Sequence, residues 1–334
     1  MKISYNILVK ISLILIFTVI LAGSVVRMTG SGMGCPDWPK CFGYLIPPIE
    51  RSQLDWKKSH RYKKGEIIIK NKTLRVAKID FVSSVIYEEK NWNLYTKHDY
   101  ADFNASHTWI EYINRLLGAL SGIVILFMTI TSIKFYKINK KIILISILVL
   151  FGLIFEAWLG KEVVDSNLKP FKVSIHLVVA LIIVFGLTLL TYLTDKKIES
   201  IKTNPIINKF SILLLVMTFF EIILGIQVRE FVDSKIDLKG NSAMNIFPFE
   251  FDVHRSFSLL IVGLNIYFYR KLKKMKLILP IYNFILFLIG LEIIIGISMF
   301  YFSFPFLSQP LHLLVASLLF ASQSFVVFKL NIKK

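Results

Sequence analysis

Charged residues are scarce in this sequence, and acidic residues are the scarcer kind. Only 19% of the 334 residues are charged, with 22 acidic residues against 40 lysines and arginines, whereas 55% are apolar. Soluble domains carry more charge and less apolar sequence than this. The mean hydropathy of +0.62 therefore predicts an integral membrane protein.

The shortage of acidic residues leaves a net charge of +18, but this surplus does not indicate a nucleic-acid-binding protein. The basic residues fall in short segments between apolar runs, with no basic domain and no motif for stacking on bases. Short loops rich in lysine and arginine are typical of the cytoplasmic side of a membrane protein. We therefore expect no nucleic-acid partner.

Cysteine is nearly absent, since Cys35 and Cys41 are the only two in the sequence. A metal site normally needs more ligands than two thiols, so a disulfide and a pair of unreacted thiols are both open. Disulfides persist in oxidising compartments. The side of the membrane on which this segment lies therefore decides between them.

Long apolar runs are what the sequence has in abundance. A run of about 20 apolar residues is long enough for a helix to cross a membrane. Eight such runs occur, at roughly 8–28, 112–133, 142–161, 173–194, 209–229, 253–270, 277–300 and 307–328. We interpret the first as a spanning helix rather than a cleaved signal peptide, because it is long enough to span. The sequence thus predicts an all-α membrane protein with eight transmembrane helices.

The basic residues place both termini on the cytoplasmic side. Basic clusters follow the second, fourth, sixth and eighth runs, whereas the loop 230–252 has more acidic than basic residues. The loop 29–109 is long and mixed in charge, and long loops cross a membrane largely regardless of charge, so we expect it on the outer face. Within this loop, the stretch 67–86 predicts short strands around a turn at Asn71 and Lys72.

The two halves of the sequence resemble each other. The matched residues, in chain order, are Arg27 with Arg229, Asn114 with His254, Arg115 with Arg255, and His176 with His312. Four helices return a chain to its starting side, so we expect two parallel, pseudo-repeated four-helix bundles, 1–194 and 195–334. The first bundle would carry an outer-loop insert at about 44–105. Arg27, Arg229 and Arg255 are assigned supporting roles at the site.

Histidines, or a replacement for one, lie near the outer ends of four of these runs. Ionisable residues inside membrane segments are costly and therefore indicate function. Histidines on facing helices can hold a haem iron, so His254 and His312 are predicted to bind one iron from both faces. The first half offers His176 but has Asn114 at the other position. An amide is a poor iron ligand beside imidazole, so an iron held by His176 would keep an open position.

Acidic residues accompany these positions. Glu111 lies one helical turn before Asn114 and can accept a proton or stabilise a cation. An ion pair with Arg115 or with a lysine of the outer loop is the alternative. Three further acids each precede a glycine by four residues, and they are Glu156, Glu221 and Glu292. This register indicates a packing and hydrogen-bonding position in which the acids are neutral in the low dielectric, and a proton relay is the alternative.

Several of these segments together resemble one known family. They are the Gly-Ser-Gly-Met-Gly-Cys-Pro-Asp-Trp-Pro stretch that begins at Gly30, the stretch 111–118, the stretch 158–166 and the paired histidines at the helix ends. They are similar to haem A synthases over nearly the whole chain except the insert. The resemblance implies an enzyme that oxidises the C8 methyl of haem O to the formyl group of haem A by successive hydroxylations.

The resemblance also implies site residues. It suggests substrate haem O in the amino-terminal bundle, at His176, Asn114 and Arg115, and a haem b cofactor in the carboxy-terminal bundle. It also suggests catalysis by Glu111 and a disulfide between Cys35 and Cys41. Many members have histidine at the position of Asn114, and His107 is the candidate substitute. We favour an open position instead, because His107 precedes the predicted helix.

The resemblance further implies a bacterial cytoplasmic membrane and a haem O synthase as the supplier of substrate. An electron acceptor in the membrane and a homo-oligomeric state are both left open. Two other functions fit parts of the pattern. A membrane cytochrome b that only transfers electrons predicts two histidines in each half, and Asn114 argues against it. A haem carrier or transporter needs neither a redox-active second haem nor a carboxylate such as Glu111.

Overall fold

Eight long helices account for most of the part of the chain that the structure describes. The computed structural model describes residues 4–96, 102–166, 170–239, 248–277 and 279–333, without the side chains of 170 and 233–239. The helices are α1 (Tyr5–Met28), α2 (Ala105–Ser132), α3 (Lys140–Asp165), α4 (Pro170–Thr194), α5 (Pro205–Lys239), α6 (Phe249–Lys274), α7 (Pro280–Tyr301) and α8 (Ser308–Asn331). The prediction of an all-α, multi-pass membrane protein is confirmed.

Seven of these helices are long and apolar enough to cross a membrane, and α6 is the exception within the described residues. The uncharged part of α6 is short, because charged residues occur at Arg255 and again at Arg270. Only positions 256–269 lie between them. Seven predicted spans therefore meet the criteria of length and composition, and the eighth forms a helix whose ends are charged.

Helix α2 begins earlier than the apolar pattern predicts. The predicted run starts at 112, whereas the helix starts at Ala105, with Asn104 as its cap. The side-chain oxygen of Asn104 accepts a hydrogen bond of 3.2 Å from the backbone N–H of His107, as asparagine at this position commonly does. His107 is therefore part of the first turn of α2, and the expectation that it precedes the helix is wrong.

The helices pack as two rings of four. Helices α1 to α4 contact their neighbours in chain order and α1 also contacts α4, while α5 to α8 repeat this scheme and α5 contacts α8. Helix α8 also contacts α1 and α4, so the two rings pack against each other along α8. One buried apolar cluster runs through both, including Ile16, Leu187 and Phe320. The division into bundles at 1–194 and 195–334 and their pseudo-repeat stay predictions.

The contacts between helix ends define the two faces of the molecule. Near the termini, Lys10 Nζ lies 2.7 Å from Asp195 Oδ2, and the Tyr192 hydroxyl donates to the carbonyl of Ile332 over 2.6 Å. At the opposite face, the backbone N–H of Leu307 lies 3.3 Å from Met28 Sδ. We call this opposite face, which carries the segment 29–96, the distal face.

The segment 29–96 contains the short strands that the sequence predicts. A three-stranded antiparallel sheet has β2 (Ile67–Lys70), β3 (Thr73–Ala77) and β5 (Trp92–Leu94) in that order, and β1 (Arg61–Tyr62) pairs with β4 (Phe81–Val82). The predicted turn is confirmed, since Asn71 and Lys72 connect β2 to β3 with φ of 49° and 59°. The buried faces of β2 and β3 pack on Cys35, Cys41 and Phe42, which anchors the sheet near the helix ends.

Candidate functional site

His254 and His312 face each other at the distal face. Each lies in the second turn of its helix, α6 and α8 respectively, and the two ring centroids are 6.4 Å apart with an interplanar angle of 87°. A bond from a metal to an imidazole nitrogen is about 2 Å long, so two imidazoles on opposite faces of one metal have centroids about 6 Å apart. The observed spacing fits that arrangement.

Each of these two rings also contacts a carboxylate from the preceding helix. Nδ1 of His254 lies 3.0 Å from Glu221 Oε1 on α5, and Nδ1 of His312 lies 2.6 Å from Glu292 Oε2 on α7. A partner at one ring nitrogen determines which nitrogen is available to a metal. The carboxylates therefore leave Nε2 of both rings for coordination.

The first half contains a third pair of the same kind. Nδ1 of His176 on α4 forms an ion-pair contact with the carboxylate of Glu156 on α3. The corresponding residue on α2 is Asn114, whose amide oxygen is buried and has no hydrogen-bond partner among the described residues. The first half thus offers one imidazole where the second offers two, as the sequence predicts.

A glycine lies beside each of these three histidine rings. A Cβ atom added to the glycine would approach Cε1 of the ring, at 3.3 Å between Gly225 and His254, 3.8 Å between Gly296 and His312, and 3.7 Å between Gly160 and His176. The glycine and the acidic residue of each set are four residues apart on one helix, so they share a face. That face carries the carboxylate and makes room for the ring.

Glu111 lies on α2 in a different environment. It is only 3% exposed, and its Oε2 accepts a hydrogen bond of 2.8 Å from the backbone N–H of Cys35. Its Oε1 forms an ion pair with Arg115 one turn later. The ion pair between Glu111 and Arg115 is therefore present, and the catalytic role of Glu111 stays a prediction.

No group of three or more histidine, cysteine or acidic residues in the described part of the chain could hold a metal ion. A pair of imidazoles suits an iron whose remaining ligands come from a porphyrin. A bare transition-metal ion would need more protein ligands than this pair provides.

Comparison with known proteins identifies the family. A family model named COX15-CtaA, cytochrome oxidase assembly protein, matches residues 6–84 and 87–324. The chain belongs to the COX15-CtaA family.

Relatives of this COX15-CtaA protein that are named heme A synthase include the following three. The Shewanella oneidensis protein is 25% identical over 212 residues, which are 64% of this chain and 52% of the relative. The Ehrlichia ruminantium (strain Welgevonden) protein is 23% identical over 340 residues, covering 93% of this chain and 89% of the relative. The Wolbachia pipientis wMel protein is 24% identical over 337 residues, covering 92% and 87%. The chain thus spans about half the length of the Shewanella relative and most of the other two.

In this COX15-CtaA protein, Cys35 and Cys41 form a disulfide, which decides between the two alternatives that the sequence leaves open. The guanidinium of Arg115 donates to the backbone carbonyls of Asp37, Lys40 and Cys35. The disulfide loop is therefore held on α2 by Arg115, and Glu111 holds both the loop and Arg115.

The side chain of Asp37 lies inside this loop. The backbone N–H of Gly43 donates to its Oδ2 over 2.9 Å. Burial raises the pKa of the Asp37 carboxyl, although this hydrogen bond and the nearby charge of Arg115 act in the opposite direction. The hydroxyl of Tyr95 donates a further hydrogen bond to the disulfide loop, to the carbonyl of Pro36.

The arginines assigned supporting roles lie in different places. Arg255 forms an ion pair of 3.2 Å with Asp252, in which both side chains are 61% exposed. Arg27 is in the last turn of α1. Arg229 is within α5, which continues to Lys239 rather than ending at 229 as predicted. Their supporting role stays a prediction.

Sequence reasoning missed the partners of the three repeated acids. The sequence predicts a packing and hydrogen-bonding position for Glu156, Glu221 and Glu292 without naming a partner, and in the structure each carboxylate contacts the imidazole of the next helix. A signal was available, because each half places these acids one helix before a histidine at a repeated interval from a glycine.

Proposed function

We propose that this protein is a haem A synthase, which oxidises the C8 methyl of haem O to a formyl group by successive hydroxylations. The proposal depends on one observation above all, the facing imidazoles of His254 and His312 with centroids 6.4 Å apart in a member of the COX15-CtaA family. The relatives named heme A synthase support it.

The residues of the second half fit a haem b cofactor. His254 and His312 would hold its iron, the glycines at 225 and 296 leave room for the two rings, and the carboxylates at Nδ1 direct both Nε2 atoms to the metal. A haem with two imidazole ligands supplies one-electron transfer. The cofactor would thus lie at the distal face, between α6 and α8.

The first half is proposed to hold the substrate haem O. His176 would bind its iron on one side, while Asn114 is a weak ligand on the other. We propose Glu111 as the proton acceptor near this haem, since it lies one turn from Asn114 on α2. Cytochromes that only transfer electrons need no such asymmetry, and neither rival function gains support from the family.

The location proposed is the cytoplasmic membrane of a bacterium, with both termini in the cytoplasm and the distal face outside. The disulfide of the distal segment supports this, because disulfides persist in oxidising compartments. Haem O synthase would supply the substrate. The oxidation also requires an electron acceptor, and a component of the membrane is proposed to be that acceptor.

Co-expression with a haem O synthase in a host that lacks haem A tests the function. We expect haem A among the extracted haems, separated by chromatography, when the wild-type protein is present. His176→Ala should leave haem O unconverted, since the substrate iron loses its ligand, and membranes without the protein provide the baseline. Haem O alone in the presence of well-expressed wild-type protein would reject the proposal.

A further inference from the structure

Three of the four pairs of consecutive helices, α3 with α4, α5 with α6 and α7 with α8, carry the same set of three residues. In each set, a glutamate and a glycine one turn apart on one helix face a histidine on the next. The sets are Glu156, Gly160 and His176; Glu221, Gly225 and His254; Glu292, Gly296 and His312. In every set the carboxylate contacts Nδ1 and the glycine lies beside Cε1, so the ring has the same two neighbours each time.

The remaining pair, α1 with α2, lacks both the histidine and the glutamate. Gly23 on α1 is present, and a Cβ added there would lie 3.7 Å from Asn114 Oδ1. The position four residues earlier is Val19. The glycine therefore belongs to the close packing of the helices in all four pairs, whereas the glutamate occurs only where there is an imidazole. If packing alone required the glutamate, it would be expected in all four pairs, as the glycine is.

The cost of these acids argues in the same direction. A carboxylate inside a membrane segment is unfavourable unless it has a partner or a function. The side chains of Glu156, Glu221 and Glu292 are at most 16% exposed, and each contacts the nitrogen that a metal-bound imidazole would leave free. Carboxylates in that position orient a ligand and make it a stronger electron donor.

We propose that Glu221 and Glu292 are positioning residues that lower the reduction potential of the haem held by His254 and His312; this rests on the proposed haem b site. Stronger donation from both imidazoles favours ferric over ferrous iron. In its ionised form each carboxylate acts in the same direction, because ferric iron carries one more positive charge. Glu156 would act likewise on His176 in the first half.

Redox titration of the purified full-length protein, loaded with haem b, tests the proposal. Glu221→Gln and Glu292→Gln keep the size of the side chain and an acceptor oxygen but remove the charge. Each should increase the ratio of reduced to oxidised haem at the wild-type midpoint at least tenfold, which is about 59 mV for one electron. Glu156→Gln is the matched control, because its carboxylate contacts His176, and the midpoint of the low-spin haem should not change.

The outcomes separate the proposal from a purely structural role. A low-spin spectrum with an unchanged midpoint in both glutamine variants would overturn it. If a folded glutamine variant loses the haem, Glu221→Asp and Glu292→Asp restore a carboxylate, and the midpoint of the haem that they bind decides: a midpoint near that of the wild type supports the proposal, whereas a midpoint higher by about 59 mV or more, or continued loss of haem, counts against it. A wild-type protein that binds no low-spin haem would instead refute the proposed haem b site itself.

Discussion

Individual imidazoles at the distal face have different neighbours, and this predicts different effects of removing them. His254 and His312 face each other across 6.4 Å, whereas the backbone of His107 is capped by Asn104 in the first turn of α2. A metal between the first pair depends on both rings, while His107 belongs to the start of a helix in the other half.

We therefore expect His254→Ala and His312→Ala each to abolish the low-spin b-type absorption spectrum of the purified protein. His107→Ala should retain it, and serves as the control for removal of an imidazole. Retention of the spectrum in both of the first two variants would reject the assignment of the ligands.

Glu111 combines an anchoring contact with a proposed role in proton transfer, and two substitutions separate these. Glu111→Ala leaves the charge of Arg115 buried without its partner, which costs about 3–5 kcal/mol. Glu111→Gln keeps the size of the side chain and one acceptor oxygen, where the carboxylate offers two, one to the Cys35 N–H and one to Arg115, and it cannot take up a proton. We expect both variants to lower haem A formation 100-fold or more, about the contribution of a general base, and the alanine variant to unfold at a lower temperature than the glutamine variant, which keeps part of the contact.

Haem A yield and thermal unfolding, measured on the same preparations, check this prediction. Near-normal haem A formation by the glutamine variant would mean that Glu111 serves only as the anchor of the disulfide loop. Arg115→Lys is a useful reference, since it keeps the charge but loses the several hydrogen bonds to the loop.

Pairs of helices are the units that form the histidine sites. Each glutamate and glycine lie on α3, α5 or α7, and the histidine that they contact lies on the next helix. The small glycine lets the neighbouring backbone approach the ring, as small residues do at helix contacts in membranes. How close the approach is differs between the pairs, and this difference can be measured.

Gly225→Ala should reduce haem retention more than Gly296→Ala does. The added Cβ would lie 3.3 Å from His254 Cε1 in the first case but 3.8 Å from His312 Cε1 in the second, where it makes an ordinary contact. Alanine is otherwise favoured over glycine in a helix by about 1 kcal/mol, so helix propensity would oppose the predicted loss. Haem bound per protein, measured after purification, checks the prediction, and equal retention in the two variants would contradict it.

Across the whole molecule, the faces differ in their chemistry. Both described ends of the chain lie at one face, which is joined by contacts such as Lys10 to Asp195, while the disulfide and the paired imidazoles lie at the other. Because the positive charges follow the even-numbered runs, we expect the distal face outside the cytoplasm.

Labelling of single cysteines in intact cells tests this orientation. The two native cysteines are joined in a disulfide, so they should not react with a maleimide. Ser84→Cys, at an exposed position of the distal face, should react with a membrane-impermeant maleimide. Lys137→Cys, exposed between α2 and α3, should react only after permeabilisation. The reverse pattern would refute the proposed topology.

Much of the fold follows from local sequence patterns, and the errors arise where those patterns are weak. The helices and the turn at Asn71 and Lys72 are predictable because hydrophobic periodicity and turn residues act over a few neighbours. The apolar pattern does not show the start of α2, since the first turn of this helix is polar and its cap is a single Asn104. The same pattern predicts a full membrane span for α6, which falls short because charges lie at both ends of its apolar part.

The sequence by itself determined the membrane class, the helices and the repeated positions of His176, His254 and His312, because these are expressed in hydropathy and in spacing along one chain. Only the tertiary structure decided which groups meet: the pairing of Glu221 with His254, and the hold of Arg115 on a loop that precedes it by more than seventy residues. These contacts depend on how helices pack side by side, and lateral packing is set by side chains from several segments at once. No local pattern contains that information.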